Sequence, residues 1–160
     1  MRNKKKYILL TMMISFIIVS LLLIESSFTI HSVTGTSMEP TISKKDMVLV
    51  NKNKKVERYA IVAFSGKKKM YVKRVIGIPG DRFIIQGQEL IFSLNKCSNF
   101  KNNIRIKVSP QVAEKFKGYS KIPKGFYFVI GDHIDVSKDS RIYGFISEKE
   151  IEGVIKYILK

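Results

Sequence analysis

Eighteen consecutive residues without a charge, Tyr7 to Ile24 (YILLTMMISFIIVSLLLI), constrain this chain more than anything else in its 160 residues. That length lies near the lower end of the roughly 17–25 residues a membrane-spanning helix needs. The preceding MRNKKK holds four basic residues and no acidic one. Positive flanks stay in the cytoplasm, which puts the remaining chain outside. A cleavable signal peptide would show a shorter apolar region, about 7–15 residues, and a small-x-small site after it. Ile24-Glu25-Ser26-Ser27-Phe28 is a poor site of that kind. The expectation is a cytoplasmic tail over 1–6, an uncleaved transmembrane anchor over 7–24 and one extracytoplasmic domain over 25–160.

Charge narrows the partners. The formal net charge is +16, and +12 without the four N-terminal basic residues, which leaves 25 basic against 13 acidic. The lysines and arginines are scattered among apolar runs and are not interleaved with aromatics at a fixed period. For a domain beside a bilayer, anionic headgroups or wall polymers fit this balance better than nucleic acid. Cys97 is alone, so no intramolecular disulfide is available and packing must supply the stability. His31 and His133 lack partners at metal-ligand spacing, so neither a metal nor another cofactor is expected.

Past the anchor the apolar pattern shortens. MVLV (47–50), AIVAF (60–64), MYVKRVIGI (70–78), RFIIQ (82–86), ELIF (89–92), IRIKV (104–108), FYFVI (126–130) and RIYGFI (141–146) are rich in β-branched and aromatic residues. Turn signals separate them, notably Pro79-Gly80-Asp81 and Pro123-Lys124-Gly125. The pattern predicts a mainly β domain. One short helix is expected around Pro110 to Phe116. Residues 93–121, polar and rich in lysine and asparagine, break the rhythm and read as an inserted lobe.

Three stretches could carry chemistry. TGTSMEPTIS (34–43) offers Ser37 as a nucleophile, with Glu39-Pro40 forcing an extended or turned backbone. A serine needs a base, and His31 stands too close in sequence to be placed opposite it. A lysine serves if burial strips its proton. Strand alternation puts Tyr71, Lys73 and Val75 on one face, although pattern alone favours a lysine that snorkels to water. In GDHIDVSKDSRIYG (131–144), Asp132, Asp135 and Asp139 do not follow the calcium-loop spacing. Asp139 and Arg141, two apart, share a face on an extended segment and could pair; a plain surface turn fits the composition equally.

Taken in order, Ser37-Met38-Glu39-Pro40-Thr41, then Tyr71 to Asp81 (YVKRVIGIPGD), then Gly131-Asp132 with Ser137-Lys138-Asp139-Ser140-Arg141, resemble the motifs of bacterial type I signal peptidases, in their short single-anchor Gram-positive form. The resemblance spans the anchor and nearly all of the outer domain except 93–121. It implies an antiparallel β-sheet catalytic domain and a serine–lysine dyad that removes signal peptides from secreted preproteins after small residues. By the same resemblance Ser37 is the nucleophile, Lys73 the base, Ser137 the hydroxyl that aims the lysine, and Asp139 with Arg141 the brace of the last loop. The resemblance further implies that the Ser37 N–H, with Gly35 as a candidate second backbone donor, meets the oxyanion and that Met38 helps to form the substrate pocket; a monomer is the expectation for the chain.

Some positions depart from that pattern. Gly35 stands where certain members carry a serine as second oxyanion donor. His133 replaces a common asparagine, and Lys45-Asp46 replaces Gly-Asp. Two rivals differ in class. Self-cleaving repressors also use serine and lysine, but need a DNA-binding segment where this chain has its apolar run. A non-catalytic tethered basic module that binds lipid or wall polyanions would have no use for Ser37, Lys73 and Ser137 together.

Overall fold

The computed structural model describes residues 2–66, 69–93 and 103–160, with the side chains of all of these except 2, 3, 21–25 and 103. Cys97 lies outside the described residues. The backbone begins as one helix, α1 (Arg2–Ser27). Its large apolar side chains between Tyr7 and Val19 stand exposed. Among the described residues no helix is long and apolar enough to cross a membrane. The end of the expected anchor, from residue 21, lies outside those whose side chains are described.

Beyond α1 the described chain is mainly β, as the short apolar runs predict. Seven strands, numbered in chain order, form one antiparallel sheet: β1 (Phe28–Ser32), β2 (Met47–Asn51), β10 (Ile151–Leu159), β3 (Ile61–Ser65), β4 (Met70–Gly77), β8 (Phe126–Ile130) and β9 (Ile146–Ser147), in that spatial order. A second antiparallel sheet holds β5 (Phe83–Gln86), β6 (Glu89–Ser93) and β7 (Asn103–Lys107). Alternation decides the faces. In β4, Lys73, Val75 and Gly77 are buried while Val72, Arg74 and Ile76 are less so. At Gly77 an added Cβ would come within 2.5 Å of Ile122 Cδ1 and 3.1 Å of Phe92 in β6, so a side chain there would force both to shift.

Two strands escape a reading by apolar runs. β1 lies between the expected anchor and the Ser37 stretch, where the sequence shows no extended apolar run. β10 is interrupted by Gly153 and by two bulges, between Ile151 and Gly153 and between Ile155 and Tyr157. Each bulge adds a residue and shifts the period of two. The run RIYGFI (141–146) is not one strand. Its first half is a helical turn, α3 (Ser140–Tyr143), because the Asp139 side chain accepts the Arg141 N–H as an N-cap. Gly144 at φ +84 ends the turn, and only Ile146–Ser147 pair with Phe126–Tyr127.

The 93–121 stretch, expected as an inserted lobe, is built into the core over its described part. β7 pairs with β6 in register from Glu89↔Lys107 to Ser93↔Asn103. Helix α2 (Pro110–Phe116), capped by the Ser109 side chain, buries Val112, Ala113 and Phe116. These join Phe83, Leu90, Phe92 and Phe128 in one cluster. Phe116 is fully buried and stacks on Phe145 with ring centroids 4.0 Å apart. Polar composition hid this because apolar residues at 104, 106, 108, 112, 113 and 116 are diluted by lysines that face solvent.

A second cluster lies between β3, β4, β8 and β10, around Val62, Val75, Val129 and Val154. A third, smaller one sits under the Ser37 loop, around Met38, Ile42 and Val48. That loop closes through Val33 and Asp46, with Val33 N–H donating to Asp46 C=O and Lys45 N–H donating to Val33 C=O, both at 2.8 Å. Lys45 there takes φ +83, the left-handed region, at the very position where a glycine would be usual in the pattern this chain resembles.

Two stability measurements test this packing. Phe116→Ala should cost about 3–5 kcal/mol in denaturant unfolding, the range for emptying an aromatic site in a core; a residue of a surface lobe would change stability by only about 0.5 kcal/mol. Lys45→Gly should stabilise by about 0.5–1 kcal/mol, since relief of a left-handed Cβ outweighs the added freedom of the unfolded chain.

Candidate active site

Three segments far apart in sequence meet at one groove. The first is the loop between β1 and β2. Inside its closed neck, Glu39 N–H donates to Thr36 C=O and Ile42 N–H donates to Met38 C=O, while the peptide before Pro40 is cis. Met38 (1 % exposed) and Ile42 (0 %) are its apolar anchors. Ser37 therefore hangs one residue before a side chain fixed in the core. Met38 also borders the groove, so the residue expected in the substrate pocket serves first as the pin of the loop.

The second segment is β4. Lys73 sits across from the fully buried Val62 and is itself 2 % exposed. Its Nζ lies 2.5 Å from Ser37 Oγ and donates to Val72 C=O at 2.9 Å. The Tyr71 ring centroid is 5.9 Å away. Burial is the main cause that pushes the Lys73 pKa down, to about 8; the charge of Lys69 adds to the fall, while Asp139 and Asp132 oppose it. A strand lysine that snorkels to water would show neither the burial nor the contact.

The third segment runs from Gly131 to Arg141. His133 N–H donates to the backbone carbonyl of Ser37 at 3.1 Å. Asp132 accepts from Thr41 Oγ1 at 2.5 Å and from Arg74 Nε and Nη2 at 2.8 and 2.6 Å. Burial alone would raise the Asp132 carboxyl; the bonds from Arg74 and Thr41 outweigh it and hold the pKa below the ordinary range. Their interaction raises Arg74 in turn. Asp132, Arg74 and Thr41 thus tie the three segments together, a role that single-motif reading misses. The signal was present, since Arg74 follows Lys73 directly and alternation sends it to the opposite face.

Asp139 and Arg141 pair as their spacing suggests, though on a capped turn instead of an extended segment. Arg141 Nε and Nη2 donate to the two carboxylate oxygens of Asp139, both at 2.9 Å, and Nη2 also donates to Ile134 and Ser137 carbonyls. Asp139 is fully buried and accepts the Gly131 N–H at 3.0 Å. Burial would lift its pKa, but Arg141 and then the Gly131 N–H more than offset that. Ser137 Oγ, buried in the same place, lies toward this carboxylate without completing a hydrogen bond. The bond from Ser137 to the lysine amine is not made either; Lys73 uses Ser37 and Val72. Gly131 is hemmed in, as an added Cβ would strike Ser137 Oγ and the Ser37 carbonyl.

The groove has a volume of about 440 Å³ and is lined by Ser37 and Lys73 with Val33, Gly35, Tyr71 and Val136. At Gly35 a Cβ would meet nothing within 4 Å. His31 also faces the groove, but its Nε2 is engaged at 2.7 Å by Glu152 Oε2 and points to no catalytic partner. Among the described residues no three His, Cys, Asp or Glu side chains group so as to hold a metal ion. The sequence profile of the family described as signal peptidase, peptidase S26, matches residues 5–159.

The chain belongs to this family. It is a serine peptidase, a hydrolase. Signal peptidase I V of Bacillus subtilis strain 168 is 34 % identical over 164 residues, which cover 95 % of this chain and 97 % of that protein. Signal peptidase IB of Staphylococcus aureus is 33 % identical over 143 residues, covering 79 % of this chain and 75 % of the relative. A solved signal peptidase I from Enterococcus faecalis, 26 % identical, overlays with a TM-score of 0.44 on 64 % of this chain and 98 % of its own.

The depressed lysine makes this peptidase's stability depend on pH in a defined direction. Below about pH 8 Lys73 is protonated in both states and the full cost of a buried ammonium is present. Between that value and the ordinary lysine value of 10.5 the unfolded chain holds the extra proton, so stability rises with pH. Lys73→Met removes the effect. The stability of the wild type relative to Lys73→Met should therefore rise by about 3 kcal/mol across that window in denaturant titrations.

Proposed function

We propose that this chain is a membrane-anchored signal peptidase that cuts signal peptides from secreted preproteins by a Ser37–Lys73 dyad. The observation that carries this reading is the 2.5 Å contact between Ser37 Oγ and a lysine that is almost wholly buried. A free lysine near neutral pH is about one part in a thousand unprotonated; with a pKa of about 8, roughly a quarter is neutral at pH 7.5. The neutral amine takes the Ser37 proton as Oγ attacks the scissile carbonyl carbon. Collapse of the tetrahedral intermediate breaks the C–N bond, and Lys73 returns the proton to the leaving amine. Lys73 then takes a proton from water, which attacks the Ser37 ester and frees the enzyme.

The Ser37 N–H is assigned to the developing oxyanion. Gly35 brings no side-chain donor to it, so a backbone N–H or water is the second. Ser137 Oγ, buried and without a partner, is suited to accept from the Lys73 amine once substrate fills the groove and excludes water. Asp139 and Arg141 hold the backbone that carries it. A groove with Val33, Val136 and Tyr71 on its walls suits small apolar side chains, in keeping with Ala-x-Ala sites.

The uncharged run 7–24, continuous with helix α1, supports a single span with the basic tail inside and residues 25–160 outside. Ser37 then lies thirteen residues past the anchor, at the level where a signal peptide leaves its own helix. Confining enzyme and substrate to one thin layer does part of the catalysis. The chain works as a monomer on this reading.

The test is processing of a preprotein by detergent-solubilised protein. Ser37→Ala should abolish cleavage with the fold retained, and so should Lys73→Arg, whose guanidinium keeps its proton. Wild-type kcat/KM should rise with pH through an acidic limb near 8, where Lys73 loses its proton. Turnover by Lys73→Arg, or a limb near 10, refutes the assignment of the base.

A further inference from the structure

Helix α1 ends against a turn that carries three lysines. The Lys52 N–H donates to the Ser27 carbonyl at 2.9 Å, and Asn53 Nδ2 donates to Ser27 Oγ at 3.0 Å. The turn after β2 is thereby pinned to the last residue of the helix, and the Asn51 side chain accepts the Asn53 N–H to hold its shape. Lys52, Lys54 and Lys55 are exposed on it.

A fourth lysine arrives from the other end of the chain. Lys156 occupies the second bulge of β10, and a bulge re-aims its side chain. Its Nζ stands 5.6 Å from the centroid of Phe28 and 5.4 Å from that of Tyr157. Phe28 follows Ser27 directly and faces Asn51 across the strand pair. Lys156, beside the Phe28 ring, and the three exposed lysines of the turn pinned to Ser27 thus form a basic collar on the segments that adjoin the end of the helix. Among the described residues none of the four is held in an ion pair; the next acid along the turn, Glu57, is exposed. A helix C-terminus carries only about half a negative charge, too little to account for four lysines.

We infer that this collar binds the phosphate headgroups of anionic phospholipids and so sets the height of the catalytic groove above the bilayer. The inference rests on α1 being the membrane anchor, which brings Ser27 to the outer headgroup level. At that level each ammonium adds attraction to a negatively charged surface, worth about five-fold in binding per lysine. The rings of Phe28 and Tyr157 suit the same interfacial layer, where aromatics are favoured.

The chain holds no tryptophan, so Tyr157→Trp, at a site 56 % exposed, gives the full-length protein a single reporter. The protein is reconstituted into phosphatidylcholine vesicles with or without phosphatidylglycerol, both carrying a headgroup nitroxide quencher. Strong quenching is expected only with phosphatidylglycerol and should be relieved by added salt. Lys52→Gln, Lys54→Gln, Lys55→Gln and Lys156→Gln combined should bring it to the phosphatidylcholine level. That corresponds to a fall in the docked-to-undocked ratio of about 600-fold, five-fold for each of the four lysines. The matching four-arginine variant should quench as the wild type does.

Quenching indifferent to phosphatidylglycerol and to the glutamine variant, in protein that stays with the vesicles through an alkaline carbonate wash, overturns the collar and leaves the anchor standing. Release from both kinds of vesicle in that wash overturns the anchor reading, and the placement of the collar with it. Tighter binding to soluble poly(glycerol phosphate) than to phosphatidylglycerol vesicles overturns the lipid assignment in favour of a wall polymer.

Discussion

The burial of the Lys73 amine is the constraint around which the site is organised. Taking the Lys73 ammonium out of water lowers its pKa to about 8, which amounts to about 3 kcal/mol of lost stability near neutrality. The surroundings keep that cost moderate. Val72 C=O accepts from Nζ, the Tyr71 ring lies alongside, and the Asp139 and Asp132 carboxylates, themselves committed to arginines, act on it through space. More negative charge would bring the lysine back toward its ordinary value; less would make the buried cation dearer.

The arginines make this balance possible. Each takes one aspartate into a bidentate or near-bidentate contact, Arg74 with Asp132 and Arg141 with Asp139. Neither carboxylate is left to form a direct pair with Lys73 among the described residues. The same bonds set geometry, because Asp132 also accepts from Thr41 on the Ser37 loop and Asp139 accepts from Gly131 N–H. Electrostatic tuning and positioning are thus done by one set of side chains.

How much of this is legible in the sequence varies with the range of the interaction. Strands such as FYFVI and MYVKRVIGI declare themselves because their β-branched and aromatic residues run together over a few positions. β10 does not, because two bulges shift its period, and RIYGFI misleads because Asp139 diverts its first half into a capped turn. The core role of Phe116 is hidden by its lysine-rich context. At the site, the motifs point to Ser37, Lys73, Asp139 and Arg141, and the last two pair as their spacing suggests. The Thr41–Asp132–Arg74 tie spans separations of 91 and 58 residues, and no local pattern encodes a contact over such distances. Lys45 shows the reverse: its departure from glycine is visible in the sequence, and its left-handed backbone gives that departure a physical meaning.

The wide spacing of the groups that meet at the groove has a consequence for biogenesis. The Ser37 loop is synthesised early, the Lys73 strand next, and residues 131–141 almost last, with β10 still to follow. Until those late segments are in place, Lys73 is a solvated ammonium, and on the proposed dyad mechanism it and Ser37 would have no capacity to cut a peptide bond. On that mechanism a nascent chain would be inert by chemistry alone. Its neighbours would be safe during synthesis without any inhibitor, because folding itself would be the step that creates the base.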